Sequence, residues 1–157
     1  MLPVLLVLLL SLGACGPRPD LGADRAALLR LHDLAQTAHL DKRPELLVAS
    51  FADSLLNISR GAVTVRTPAE SRTRFQAYFD RSTFLEWADL APPLIRISPD
   101  GQMAYVIVQK RVRLRALDSA GVPQPVHTIF AWVELYEKQG GRWTLMAVAS
   151  TDRPGAT

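Results

Sequence analysis

Glu134 is the residue whose setting most invites chemistry. Read as a strand, His127 to Lys138 places Phe130, Trp132, Glu134 and Tyr136 on one face and Ile129, Ala131, Val133 and Leu135 on the other. A carboxylate among aromatic rings on a cavity wall is partly desolvated, and can serve as an acid, a base or a polar anchor for a ligand. On a face that lies open or at a subunit contact, Glu134 would instead pair with Arg111, Arg113 or Lys138 and do nothing chemical. Trp87 and Tyr105 are candidate walls of the same pocket, although aromatic residues at strand spacing more commonly pack a core. For an enzyme, Tyr105 or His127 is the expected partner of Glu134.

His32, Gln36 and His39 fall on one helical stripe, and two imidazoles seven residues apart could suggest a metal. No Cys, Asp or Glu at ligand-like spacing accompanies them, and the stripe borders the apolar face. They read as a solvated helix edge, so no metal and no cofactor is expected. The chain holds no Gly-rich phosphate loop, nucleophile elbow or zinc-binding His-Glu motif, and Ser54, Ser59 and Ser82 lack the context of a nucleophile. Its 18 basic and 15 acidic residues form no dominant basic cluster. The densest run, Lys110, Arg111, Arg113 and Arg115, alternates like a strand face without interleaved stacking rings, which argues against nucleic acid as a partner.

The apolar run before Leu12 is shorter than the roughly 20 residues a bilayer core requires, and fits a secretory signal instead. Leu12-Gly13-Ala14-Cys15 resembles a bacterial lipobox, in which small residues admit the signal peptidase and the cysteine thiol receives diacylglycerol. Residues 1–14 are then a leader, 15–23 the lipidated cysteine and a Gly/Pro-rich tether, 24–152 a folded domain and 153–157 a tail. Cys15 is the only cysteine, so no disulfide framework forms within the chain. The expectation is an exported protein held in the bacterial envelope by lipid on Cys15, at the outer membrane facing the periplasm where the cell has one.

The elements that must position Glu134 follow from periodicity. At 48% hydrophobic, 157 residues suffice for one domain with a core. Ala27, Leu28, Leu31, Leu34, Ala35 and Ala38 carry helical spacing over 24–38, with Asp20 or Asp24 as cap. Pro44 opens a second short helix expected to run through Phe51 and end near Asp53, which turns the chain. Arg60-Gly61 interrupts a β-rich stretch from Leu55 to Val65 and predicts a hairpin. Thr67-Pro68-Ala69-Glu70 is a capping box that opens a third helix reaching about Asp80. Strands are predicted at 84–87, 94–97, 103–115, 127–138 and 142–150, and short turns between them imply an antiparallel sheet. Within 103–115, Tyr105, Ile107, Gln109, Arg111, Arg113 and Arg115 take one face, and Val106, Val108, Val112 and Leu114 the other.

This order, with Phe51-Ala52-Asp53, the capped third helix and the pair Phe130-Ala131-Trp132-Val133-Glu134 and Gly141-Arg142-Trp143-Thr144-Leu145, resembles the nuclear-transport-factor-2-like superfamily, particularly its SnoaL-like and lipoprotein branches. The resemblance covers 24–152 and implies an α+β cone, a curved antiparallel sheet wrapped around three N-terminal helices, cystatin-like in outline. In the steroid-isomerase-like members a carboxylate base follows the Phe-Ala-Asp segment, and that position here is Ser59, which cannot take a proton from carbon unaided. The tyrosine those enzymes keep on the first helix falls near His32 or Asp33, leaving the oxyanion partner unmatched. Because the fold hosts many activities, the expectation is a module that binds a small apolar ligand or forms a homodimer through its open sheet face. The alternative is an isomerase, dehydratase or cyclase that uses Glu134. Ser59, Trp87, Tyr105, Trp132 and Glu134 are the pocket candidates.

Overall fold

In the computed structural model, residues 19–155 are described. The expected leader and Cys15 lie outside them. The elements run α1 (Leu21–Leu40), α2 (Pro44–Val48), β1 (Phe51–Ser59), β2 (Ala62–Arg66), α3 (Pro68–Asp80), β3 (Ser82–Asp89), β4 (Leu94–Ile97), β5 (Met103–Leu117), β6 (Pro123–Gln139) and β7 (Arg142–Pro154).

Local chemistry accounts for the boundaries. Asp20 caps α1 by accepting from Ala23 N at 2.9 Å, so the helix starts three residues before Asp24 and takes in Gly22. At α3 the capping box is complete: Glu70 N donates to Thr67 Oγ1 at 3.3 Å, and Thr67 N to Glu70 Oε2 at 2.8 Å. Arg60 and Gly61 both take positive φ, 49° and 75°, the turn that suits a two-residue hairpin between β1 and β2. The second helix, however, stops at Val48, and Phe51-Ala52-Asp53 opens β1. Asp53 is therefore an exposed strand residue and not a turn, because β7 offers the segment a backbone partner that local pattern does not reveal.

The seven strands form one sheet in the order β2-β1-β7-β6-β5-β3, with β4 beside β3 on the same edge of β5. Every pairing is antiparallel except one. The last strand returns alongside β1 in parallel, Asn57 opposite Val148 and Ser59 opposite Ser150, so the sheet is mixed where an antiparallel one was expected. Helices α1 to α3 lie against one face. Leu28, Leu55, Ile95, Val106, Val108, Tyr136, Trp143 and Leu145 make the main core. A second cluster of Ala38, Leu47 and Phe79, flanked by Phe75 and Phe84, joins the three helices at the other end.

The N-terminal turn of α1 is fastened to the β6–β7 hairpin through Asp24. Its carboxylate accepts from Lys138 Nζ at 2.6 Å and Trp143 Nε1 at 3.1 Å, while the ammonium lies 4.9 Å from the Trp143 ring centre. Removing Asp24 would leave a half-buried ammonium and a buried indole N–H without their acceptor. Asp24→Ala should lower the unfolding free energy by about 2–3 kcal/mol. Urea denaturation checks this, and a change below about 0.5 kcal/mol would show the fastening to be dispensable.

Candidate functional site

Strand register decides which side chains face the helices. Lys110, Val112 and Leu114 of β5 stand opposite Asp89, Trp87 and Phe84 of β3. Simple alternation from Phe84 would send Trp87 and Asp89 outward. A bulge at Leu85 shifts the phase, so all three turn inward with their β5 partners. Across the sheet, Lys110 faces Phe130, Val108 faces Trp132 and Val106 faces Glu134. Of these, Trp87, Lys110, Phe130, Trp132 and Glu134, with residues of all three helices and of β1, β2 and β7, line a cavity of about 260 Å³ whose walls are mostly apolar.

Lys110 is the centre of a buried polar cluster. It is only 1% exposed, although it sits in a strand among valines. Its ammonium contacts Asp89 Oδ1 at 2.8 Å and donates to Gln36 Oε1 at 3.2 Å. Asp89 Oδ2 accepts from His32 Nε2 at 2.9 Å. A carboxylate only accepts here, so Nε2 carries the hydrogen and Asp89 orients the imidazole. Burial alone would raise the Asp89 carboxyl, but the hydrogen bonds from Lys110 and His32 hold it below its ordinary range. The Nδ1 atom of His32 has no protein partner among the described residues.

Glu134 lines the same cavity. Trp132 Nε1 donates to Oε1 at 2.8 Å and Tyr136 OH to Oε2 at 3.1 Å, each from two residues away on the same face of β6. Desolvation pushes the Glu134 carboxyl upward, and neither those two donors nor the charges of His32 and Lys110 cancel it. Burial, and then the adjacent Glu134 charge, pushes the Tyr136 hydroxyl well above its ordinary range, which keeps it a donor. The partners considered from sequence are engaged elsewhere: Arg111 Nε bonds Glu86 at 2.7 Å, Arg113 lies beside the same carboxylate, and Lys138 holds Asp24.

The deep wall is aromatic. His39 stacks on Trp87 with centroids 3.6 Å apart and meets Phe75, Phe79 and Phe84 edge-on. Its Nδ1 donates to Ala35 O at 2.7 Å. Burial is the main reason that its pKa falls to about 4.

Of the pocket candidates, Trp87, Trp132 and Glu134 meet at the cavity. Ser59 ends β1 two residues beyond the lining residue Asn57, and Tyr105 stands on the other face of β5, 39% exposed. His127 lies in an outer groove with Arg111 and Arg153, away from Glu134. The stripe of His32, Gln36 and His39 is not a solvated edge: both imidazoles are buried, because α1 turns them onto the polar and aromatic residues of β3 and β5. Among the described residues no group of three His, Cys, Asp or Glu is placed to hold a metal. Sequence reasoning missed Lys110 and Asp89. The signal for Lys110 was its parity with Val106, Val108, Val112 and Leu114, a lysine on the covered face.

The low pKa of His39 fixes the sign of a pH effect. The unfolded chain takes up a proton near pH 6.5 and the folded one only near 4, so this contribution is complete above 6.5 and lost as pH falls toward 4. The His39 imidazole should titrate by NMR with a midpoint near 4. Wild type should also lose about 3 kcal/mol relative to His39→Leu between pH 7 and 4, a difference in which the common Glu134 effect cancels. An ordinary histidine midpoint would contradict the buried neutral ring.

No protein-family model matches the chain, and no curated protein matches it. Solved structures do match. One is a candidate dehydratase of the NTF2-like family from Streptomyces avermitilis, with TM-score 0.66 and 12% identity over 88% of this chain and 100% of that one. Another is a ketosteroid isomerase-like protein from Erwinia carotovora atroseptica, with TM-score 0.63 and 16% identity over 83% and 96% of the two chains. A third, an NTF2-like protein from Cytophaga hutchinsonii, gives 0.64 and 17% over 81% and 96%. At such identities the likeness concerns the backbone, and it agrees with three helices packed on a curved mixed sheet: the described domain has the NTF2-like fold, in the α+β cone class.

Proposed function

We propose that the domain takes a small, largely apolar carbonyl compound into the cavity and moves a proton on it, as an isomerase or dehydratase does. The observation that carries this reading is Glu134, a carboxyl raised by burial and held by two donors on an apolar wall, with Lys110 and His32 lining the same space. The names of two structural neighbours, a candidate dehydratase and a ketosteroid isomerase-like protein, support the same class.

In this mechanism Glu134 removes a proton from carbon next to the carbonyl. Lys110 stabilises the oxyanion, its ammonium held in place by Asp89, which His32 orients in turn. Glu134 then returns its proton either to another carbon, completing an isomerisation, or to a β-hydroxyl that departs as water. The experiment is proton exchange in D₂O, followed by NMR, on cyclic β-hydroxyketones and β,γ-enones. Glu134→Gln should slow exchange or conversion by about 10²–10⁴-fold while circular dichroism is unchanged. Equal rates in the two proteins would remove Glu134 from the chemistry.

A second reading, carriage of the ligand without turnover, is favoured by the serine at position 59, where the resemblance calls for a carboxylate, and by its place beyond the cavity lining. Bound ligand with no catalysed exchange across the panel would select it.

For the whole chain we propose an envelope lipoprotein, tethered through Cys15, that pairs with a second copy through the outer sheet face. Tyr105, Ile107 and Leu135 stand exposed there. Cys15→Ser should move the protein from the membrane to the soluble fraction, and the released protein should sediment as a dimer. Unchanged membrane association would argue against the lipid anchor, and a monomer against the pairing.

A further inference from the structure

Two groups of polar residues stand out in the cavity. One is His32, Lys110 and Glu134, each held by side-chain hydrogen bonds, the first two through Asp89 beside the lining. The other, spread over β1, β2 and α3, has no hydrogen-bond or ion-pair partner for its side chains among the described residues: Asn57, Arg66, Ser71 and Arg74. Register places Arg66 opposite Leu55, on the inward face of the edge strand β2. Ser71, Arg74 and Phe75 share one stripe of α3, with Ser71 3% exposed. Arg74 is the one exposed residue of the lining, so the cavity meets solvent at α3. The charge of Arg66 is felt at Glu70, but both the amide and hydroxyl of Thr67 already hold that carboxylate in the capping box.

Two guanidiniums without carboxylate partners, next to a buried hydroxyl and an amide, make a site for an anion with planar oxygens. The rest of the lining is mostly apolar. Resting on the reading of this cavity as a ligand site, we infer that its ligand is an amphipathic anion: an apolar body inside, and a carboxylate or comparable group held at the mouth by Arg66 and Arg74. The arginines then set which end of the molecule enters first and which carbons reach Glu134. Lys110 already has Asp89 as its counter-charge, whereas Arg66 and Arg74 have none.

The test uses the full-length chain and a matched pair of probes, 2-naphthylacetate and its primary amide, with binding read from the fluorescence of the lining residues Trp87 and Trp132. Wild type should bind the carboxylate about tenfold more tightly than the amide, and the preference should shrink as salt is added. The double variant Arg66→Gln/Arg74→Gln should lose that preference and keep its affinity for the amide, with an unchanged melting temperature. A carboxylate preference that survives the double substitution would overturn the inference while leaving the cavity as a ligand site, as would equal binding of both probes to wild type. Failure of both probes to bind wild type would sink the ligand-site reading and this inference with it.

Discussion

An ammonium carried into the interior of a sheet must be neutralised and hydrogen-bonded where it lies, since its desolvation otherwise costs several kcal/mol. Lys110 imposes that requirement here, and two elements answer it. The β3 strand supplies Asp89 through a bulge that reverses its phase, and α1 supplies Gln36 and, by way of Asp89, His32. The angle at which α1 crosses the sheet and the inward turn of β3 are thereby coupled to one charge. A hydrophobic residue at 110 would pack as well, so the cluster is better explained by what it faces than by stability alone.

What it faces is the cavity. Glu134 stands on the neighbouring strand, two residues along from Trp132 and two before Tyr136, so β6 alternation alone delivers both of its hydrogen-bond donors. Its carboxyl lines one space with Lys110 and His32, whose charges oppose the upward push of burial on Glu134. The fold contributes rigid strands to hold these groups and three helices to exclude water from them. The chemistry depends on which side chains the strands present, which is why one backbone can serve isomerases, dehydratases and carriers.

The helices, the hairpin and the strand positions were legible because they rest on local signals: the Thr67-Glu70 box, Arg60-Gly61 and the alternation in 103–115. So was the inward face of β6, whose period is unbroken. The parallel return of β7 beside β1 is a long-range pairing that no local pattern encodes, and it drew Phe51-Ala52-Asp53 from the helix into a strand. The site was legible only in part for a related reason. Asp89 faces inward because of a bulge, which breaks the alternation on which the reading depends. The histidines of α1 read as solvated because the groups that bury them, Asp89 for His32 and Trp87 for His39, come from β3, far along the chain. Polar residues on a buried face gain their meaning only from the opposite wall.

The state of the Glu134 carboxyl tests this account most directly. Side-chain carboxyl carbons labelled with ¹³C can be followed by NMR across pH, with the Glu134 resonance assigned by its absence in Glu134→Gln. The account predicts a titration midpoint above the ordinary glutamate range. A midpoint in or below that range would mean an ordinary carboxylate anchored by Trp132 and Tyr136, and would contradict the cavity as a site of proton transfer.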